Sequence, residues 1–152
     1  MFRKIMVATD GSETSMRTAK LAVDLAKLAG GTVAAIYVVD LLRLSKLPGY
    51  TALPGISERL MELMFKEAED ATSEIGEMAC DAGVPFEKIV AEGNPSEEIL
   101  RRSSESEMDL LMIGSIGRTG LEKIMLGSVA EKVVRHSKIS VLIVPGKSKP
   151  KI

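Results

Sequence analysis

Gly114, Gly117 and the pair Gly127-Ser128 are the residues of this sequence best suited to chemistry, and that chemistry is anion binding. Glycine lets the backbone approach an anion closely, and a helix N-terminus supplies N–H groups and a partial positive charge. Two residues separate the first two glycines, and nine separate Gly117 from Gly127. The spacing is not a Walker A loop, because no Gly-Lys-Ser/Thr closes a four-residue spacer, nor is it the dinucleotide fingerprint G-x-G-x-x-G. Ser128 can donate its hydroxyl to a phosphate or cap the helix that follows. Glycines after a strand also arise as plain turn chemistry, so on these residues alone a phosphate cradle and a simple turn both stand.

Other polar residues carry weaker signals. Asp10 either faces a ligand or forms an Asx turn ahead of Ser12. Arg118 and Lys123, inside the spacer, meet phosphate charge or are solvated. His136, the sole histidine, falls in the last turn of a helix beside Arg135. A cation there is favoured by the helix dipole, so its reading is capping and not catalysis. Cys80 is read as a small helix residue, buried or partly buried. Glu97 and Glu98 suit a helix N-terminus, while Glu105 and Glu107 read as solvated. No paired carboxylates, metal-ligand spacing or Ser/His/Asp arrangement singles out a hydrolytic site.

The elements that must position these residues alternate along the chain. Residues 5–9 are an apolar run closed by Asp10-Gly11, a strand and a turn. Ser12 can cap a helix to about residue 29, with Met16, Ala19, Ala22, Val23 and Ala26 on one face. Residues 32–39 form a second, β-branched strand. Residues 40–56 hold Pro48-Gly49 and Pro54-Gly55 and read as a long loop with a short helical turn. A long amphipathic helix is expected over 57–82, with Leu60, Leu63, Met64, Ala68, Ala71, Ile75 and Met78 inward. Gly76 is its weak point, at about 1 kcal/mol relative to alanine. Residues 86–91 are the third strand. Asn94 caps a helix with Pro95 in its first turn, running to about residue 107 and burying Ile99 and Leu100. Residues 109–113 are the fourth strand, 128–136 the last helix and 140–144 the fifth strand. This alternation predicts βαβ units, right-handed crossovers and a parallel sheet covered on both faces. Such sheets bind ligands beyond the carboxyl ends of their strands where strand order reverses, here strands one, two and four.

Bulk properties exclude several classes. At 152 residues the chain suits one core. A domain of this size buries about two thirds of its unfolded surface and needs no disulfide or metal staple. Twenty basic and twenty-one acidic residues give a net charge of −1, which argues against a nucleic-acid binder. One cysteine excludes an internal disulfide and fits a reducing compartment. The chain shows no signal-peptide core and no apolar run near the ~20 residues of a membrane span. A cytoplasmic protein is expected. Nine methionines, among them Met61, Met64 and Met78, are read as core or interface packing.

The spacing G-x2-G-x9-G-S, met by Gly114, Gly117, Gly127 and Ser128, resembles the ATP-binding motif of the universal stress protein family. Residues 5–13, Tyr37-Val38-Val39-Asp40, Gly93-Asn94-Pro95 and Val141-Leu142-Ile143-Val144-Pro145 are similar to that family in kind and order. The resemblance covers nearly the whole chain, with the domain at 1–146 and a basic tail at 147–152. The implied fold is one doubly wound α/β domain, Rossmann-like and adenine nucleotide alpha hydrolase-like, with five parallel strands in the order 3-2-1-4-5.

The resemblance implies roles position by position. Ala8 and Asp10 would stand at the end of strand one, Asp10 bonding ribose or a metal-bridged phosphate. Val38 would meet adenine through its backbone. Ile113 and Gly114 would line the ribose side, Gly117 would approach the phosphates, and Gly127, Ser128 and Val129 would hold them. Ala130 stands where some members carry a hydroxyl residue and Ile116 where some carry histidine. The implied ligand is ATP, or ADP or AMP, with Mg²⁺ or Mn²⁺. A homodimer paired through Val141, Leu142, Ile143 and Val144 is also implied. The expected function is a nucleotide-dependent regulatory module. The alternatives are a slow ATPase or nucleotidyl-transfer enzyme, and a nucleotide-free dimeric interaction protein.

Overall fold

The apolar runs pair side by side in one parallel sheet whose order, β3-β2-β1-β4-β5, is the one expected. The computed structural model describes residues 1–46, 55–116 and 126–146. Its strands are β1 (Lys4–Ala8), β2 (Thr32–Val39), β3 (Phe86–Glu92), β4 (Leu110–Gly114) and β5 (Ser140–Val144). Its helices are α1 (Glu13–Ala29), α2 (Leu41–Ser45), α3 (Ile56–Asp81), α4 (Pro95–Glu105) and α5 (Ser128–His136). Among these no helix is long and apolar enough to cross a membrane.

Alternation along each strand divides the core into two layers, because successive side chains point to opposite faces. Ile5, Val7, Val33, Ala35, Leu110 and Met112 face α1 and α3, meeting Ala22, Ala26, Ile75 and Ala79. Met6, Ala8, Ala34, Ile36, Leu111 and Ile113 face the other way, onto Ile99 of α4 and Ala130 and Val133 of α5. Covered on both faces, β1 and β4 read as unbroken apolar runs. Each large side chain so buried contributes roughly 1.5–3 kcal/mol. The two fully buried threonines are satisfied inside their own helices: Thr18 and Thr72 each donate to a carbonyl one turn back, at 2.8 Å.

Several expectations are corrected. Asp109 stays outside β4, and its carboxylate accepts the N–H groups of Arg3 at 3.1 Å and Lys4 at 2.8 Å. The fourth helix stops at Glu105, two residues early, and the third begins at Ile56 on Gly55. Cys80 is exposed, and Leu63 is 56% exposed; both lie on the face of α3 turned from the sheet. Gly76, which propensity alone marks as a weak point, has a packing reason. A β-carbon there would lie 2.9 Å from the Phe86 ring, so the glycine sets how closely α3 approaches β3. The proline-bearing stretch 47–54 and the basic tail 147–152 lie outside the described residues.

Gly114 ends β4 against the first turn of α1. A β-carbon there would stand 2.7 Å from Thr14 Cγ2, whose residue is buried. Gly114→Ala is expected to destabilise the fold by about 1–3 kcal/mol through overpacking. Thr14→Ser removes the obstructing methyl, so the double variant should recover most of the loss in urea denaturation. Equal instability of Gly114→Ala with and without Thr14→Ser would refute this account.

Candidate functional site

A cleft of about 720 Å³ opens beyond the carboxyl ends of β1, β2 and β4. Its position follows from the connections. From β1 the chain crosses under α1 to β2 on one side, while from β4 it crosses through α5, on the opposite face, to β5. The crossovers diverge between β1 and β4, and among the described residues nothing fills the gap at their ends. Ala8, Asp10, Val38, Ile113, Gly114, Gly127, Ser128 and Val129 all line this cleft. Gly117, Arg118 and Lys123 lie outside the described residues.

At the end of β1 the two readings of Asp10 coincide. Its Oδ1 accepts the Ser12 N–H at 2.9 Å, an Asx turn, while the residue lines the cleft half-buried. The turn is locked further by Thr9, whose hydroxyl oxygen accepts the Gly11 N–H at 3.1 Å and lies 2.9 Å from Ser15 Oγ. The Asp10 carboxylate is thereby held at the strand end.

Val38 presents backbone to the cleft for a reason of register. β1 ends at Ala8, opposite Ile36, with one further bond from Thr9 N–H to the Ile36 carbonyl at 3.0 Å. β2 continues to Val39. The peptide groups of alternate strand residues point to the same side. Ile36 bonds towards β1, while Val39 accepts from Gly93 at 3.1 Å on the β3 side. The N–H and C=O of Val38 therefore face the β1 side, past the point where β1 has stopped. An extended strand thus leaves one donor and one acceptor on the cleft wall.

Opposite lies the start of α5. Its N-cap is Gly127, with no side-chain cap, as at Gly55 of α3, whereas α1, α2 and α4 are capped by Ser12, Asp40 and Asn94. Gly127 is fixed from both sides: its N–H donates to the Ser115 carbonyl at 2.7 Å, and its own carbonyl accepts from Glu131 at 2.9 Å. The N–H groups of Ser128, Val129 and Ala130 have no helical acceptor, being first-turn donors. Ser128 occupies the first helical position and not the cap, and its exposed side chain makes no hydrogen bond among the described residues. The side chain of Ala130 is buried among apolar neighbours, so its contribution to the cleft is its backbone.

Residues that sequence reasoning did not select complete the walls. Arg43 and Leu44 come from α2, Met64 and Glu67 from α3, Ser96 from α4 and Lys132 from α5. The signal for α3 was its length. At about 1.5 Å per residue its 26 residues span about 39 Å, against roughly 26 Å for the eight residues of β2. Its first turns must therefore overhang the sheet and wall the cleft. Among the described residues no three His, Cys, Asp or Glu side chains converge as a metal site. A second groove of about 310 Å³, between the far ends of α4 and α5, is lined by Leu100, Ser103, His136 and Ile139. His136 there is exposed, as the last residue of α5. Arg101 on the same rim is held above its ordinary pKa by hydrogen bonds to Glu98 and Glu105.

Known proteins share this architecture. The model of the universal stress protein family matches residues 1–145. Universal stress protein MJ0531 of Methanocaldococcus jannaschii is 38% identical over 151 residues, covering 99% of this chain and 85% of that protein. The solved structure of MJ0577, from the same organism, superposes with a TM-score of 0.83 at 29% identity, covering 98% and 99%. A universal stress protein solved in complex with cAMP superposes with a TM-score of 0.67 at 25% identity, covering 95% and 97%. Structural relatives of this fold thus bind nucleotides. With the family match running from the first strand through the glycine turn, the chain belongs to the universal stress protein family.

Proposed function

We propose that this protein is a nucleotide-dependent regulatory module of the stress response, holding ATP, or its diphosphate or monophosphate, in the cleft between Val38 and α5. The observation that carries this reading is the first turn of α5, which has no side-chain cap and whose residues Ser128, Val129 and Ala130 line the cleft. Adenine is complementary to the opposite wall, since its edge offers a donor beside an acceptor and the Val38 backbone offers the reverse. Ala8, Ile113 and Gly114 lie between and would flank the ribose, with Gly117 and Gly127 to Val129 around the phosphates. Mg²⁺ and Mn²⁺ are typically held by one or two carboxylates together with substrate phosphates. Asp10 fits that role, so a divalent cation would be held jointly by protein and nucleotide. Bound nucleotide would shift populations of the protein's conformers rather than undergo rapid cleavage. The domain spans 1–146. β5 pairs only with β4 among the described strands, and Leu142 is 38% exposed on it, which supports a dimer through residues 141–144.

Protein denatured after purification should release adenine nucleotide, and the stripped protein should turn ATP over only very slowly. At a hundredfold excess over Kd, ATP should stabilise the stripped protein by about 2.7 kcal/mol, a rise in Tm of roughly 5–10 °C. No released nucleotide together with no thermal shift would sink the reading.

Ser128→Pro tests the open turn directly. Proline suits a first helical position and needs an extended residue before it; Gly127 already has φ −58° and ψ 155°. The variant should fold normally while losing one N–H and one hydroxyl. ATP affinity should fall at least about tenfold, as for a charge-assisted bond of roughly 1.5–3 kcal/mol. Unchanged affinity would remove α5 from the site.

Asp10→Asn keeps an acceptor for the Ser12 N–H and removes the charge. Melting temperature should hold, while the Mg²⁺-dependent part of ATP affinity disappears. A variant whose ATP affinity still rises with Mg²⁺ as in the parent would exclude Asp10 as the cation's ligand.

A further inference from the structure

One cation of the cleft has no role in that reading. Lys132 lines the cleft together with Ser128 and Val129. Its neighbour Glu131 is engaged elsewhere, 2.8 Å from Arg135. Among the described residues, Lys132 is ion-paired with no carboxylate. A lysine standing in a cleft without a carboxylate partner is a charge awaiting an anion from outside.

Helix geometry says where that anion would be. Lys132 follows Ser128 by four residues, so the two share a face of α5 about 6 Å apart along the axis. Side chains on a helix lean towards its N-terminus. The four-carbon stem of lysine is long enough to cover that rise, so the ammonium can reach the level of the first-turn N–H groups. Those groups and the helix dipole supply about half a positive charge. A single phosphate monoester, at about −1.5 to −2, already exceeds it, and each further phosphate widens the imbalance that the helix end leaves.

We infer that Lys132 makes the site selective for nucleotides with two or more phosphates over the monophosphate. The inference rests on the adenine-nucleotide reading and deepens it: the backbone holds the nucleotide, and Lys132 counts its charge. Arg43, the other cationic residue lining the cleft among the described residues, sits on α2 beside the end of β2, on the wall where the base would lie.

The test is titration calorimetry of ATP, ADP and AMP with excess Mg²⁺ against the parent, Lys132→Met and Lys132→Arg. Lys132 is exposed on the helix and methionine keeps most of the stem, so circular dichroism and Tm should match the parent. Lys132→Met is expected to weaken ATP and ADP about tenfold and AMP less than about twofold, with the ATP loss shrinking at high salt. Lys132→Arg should keep the parent's preference. Equal losses for ATP and AMP, no loss for either, or an arginine variant as impaired as the methionine one would overturn the role of Lys132 and leave the nucleotide reading standing. A parent protein with no measurable affinity for any of the three would overturn that reading, and the selectivity with it.

Discussion

β1 stops at Ala8 while its neighbour β2 runs on to Val39, and the site depends on that difference in length. A strand inside a parallel sheet has both edges consumed by pairing. Where a neighbour ends early, the longer strand keeps its geometry but loses its partner, and its peptide groups become available without any loop having to present them. The same early stop places the Asp10 turn on the sheet's rim, where the Thr9 and Ser12 bonds hold it. With β1 central between β2 and β4, the crossovers leave its end uncovered among the described residues.

The described helices divide into two kinds, those capped by a side chain and those, α3 on Gly55 and α5 on Gly127, that are not. Ser12, Asp40 and Asn94 close the starts of α1, α2 and α4 with their own side chains, so those helices answer their own polarity. α5 starts on a glycine that contributes only backbone, and the backbone is occupied in anchoring the helix to Ser115. A side-chain cap there would place an acceptor where an anion is needed. With no cap at Gly127, the first-turn N–H groups of α5 stay open to an external acceptor.

Much of the fold was legible because β1, β2 and β4 are nearly unbroken apolar runs and the breaks carry turn chemistry. The parallel sheet and the position of the cleft follow from the alternation of strands and helices, the caps at Ser12 and Asn94 from residue type, and the strand order from the family resemblance. The errors share a cause. Cys80, Leu63 and Asp109 were placed from local pattern, but tertiary contacts decided them: α3 turns only a narrow face to the sheet, and Asp109 serves the amides of Arg3 and Lys4. Within the cleft, the residues that end strands or open helices were legible from spacing. Met64, Glu67 and Arg43 were not, because they arrive from elements distant in sequence, and Lys132 reads in isolation as an ordinary solvated lysine. The direction of the Val38 peptide group required the register, which no single-strand pattern contains.

The overhang of α3 gives that helix two unequal halves. Its buried residues, Ala68, Ala71, Thr72, Ile75 and Ala79, all lie beyond residue 67, while the turns over 56–67 bury their apolar side chains only in part among the described residues. Short helical segments without packing are marginal in water. Amide protons in these turns should therefore open by local fraying, while those beyond Ala68 exchange only when the domain as a whole unfolds. A molecule resting against Met64 would feed part of its binding free energy into ordering those turns. The cleft would then carry an adjustable wall, whose occupancy can be sensed on the outer surface of the same helix.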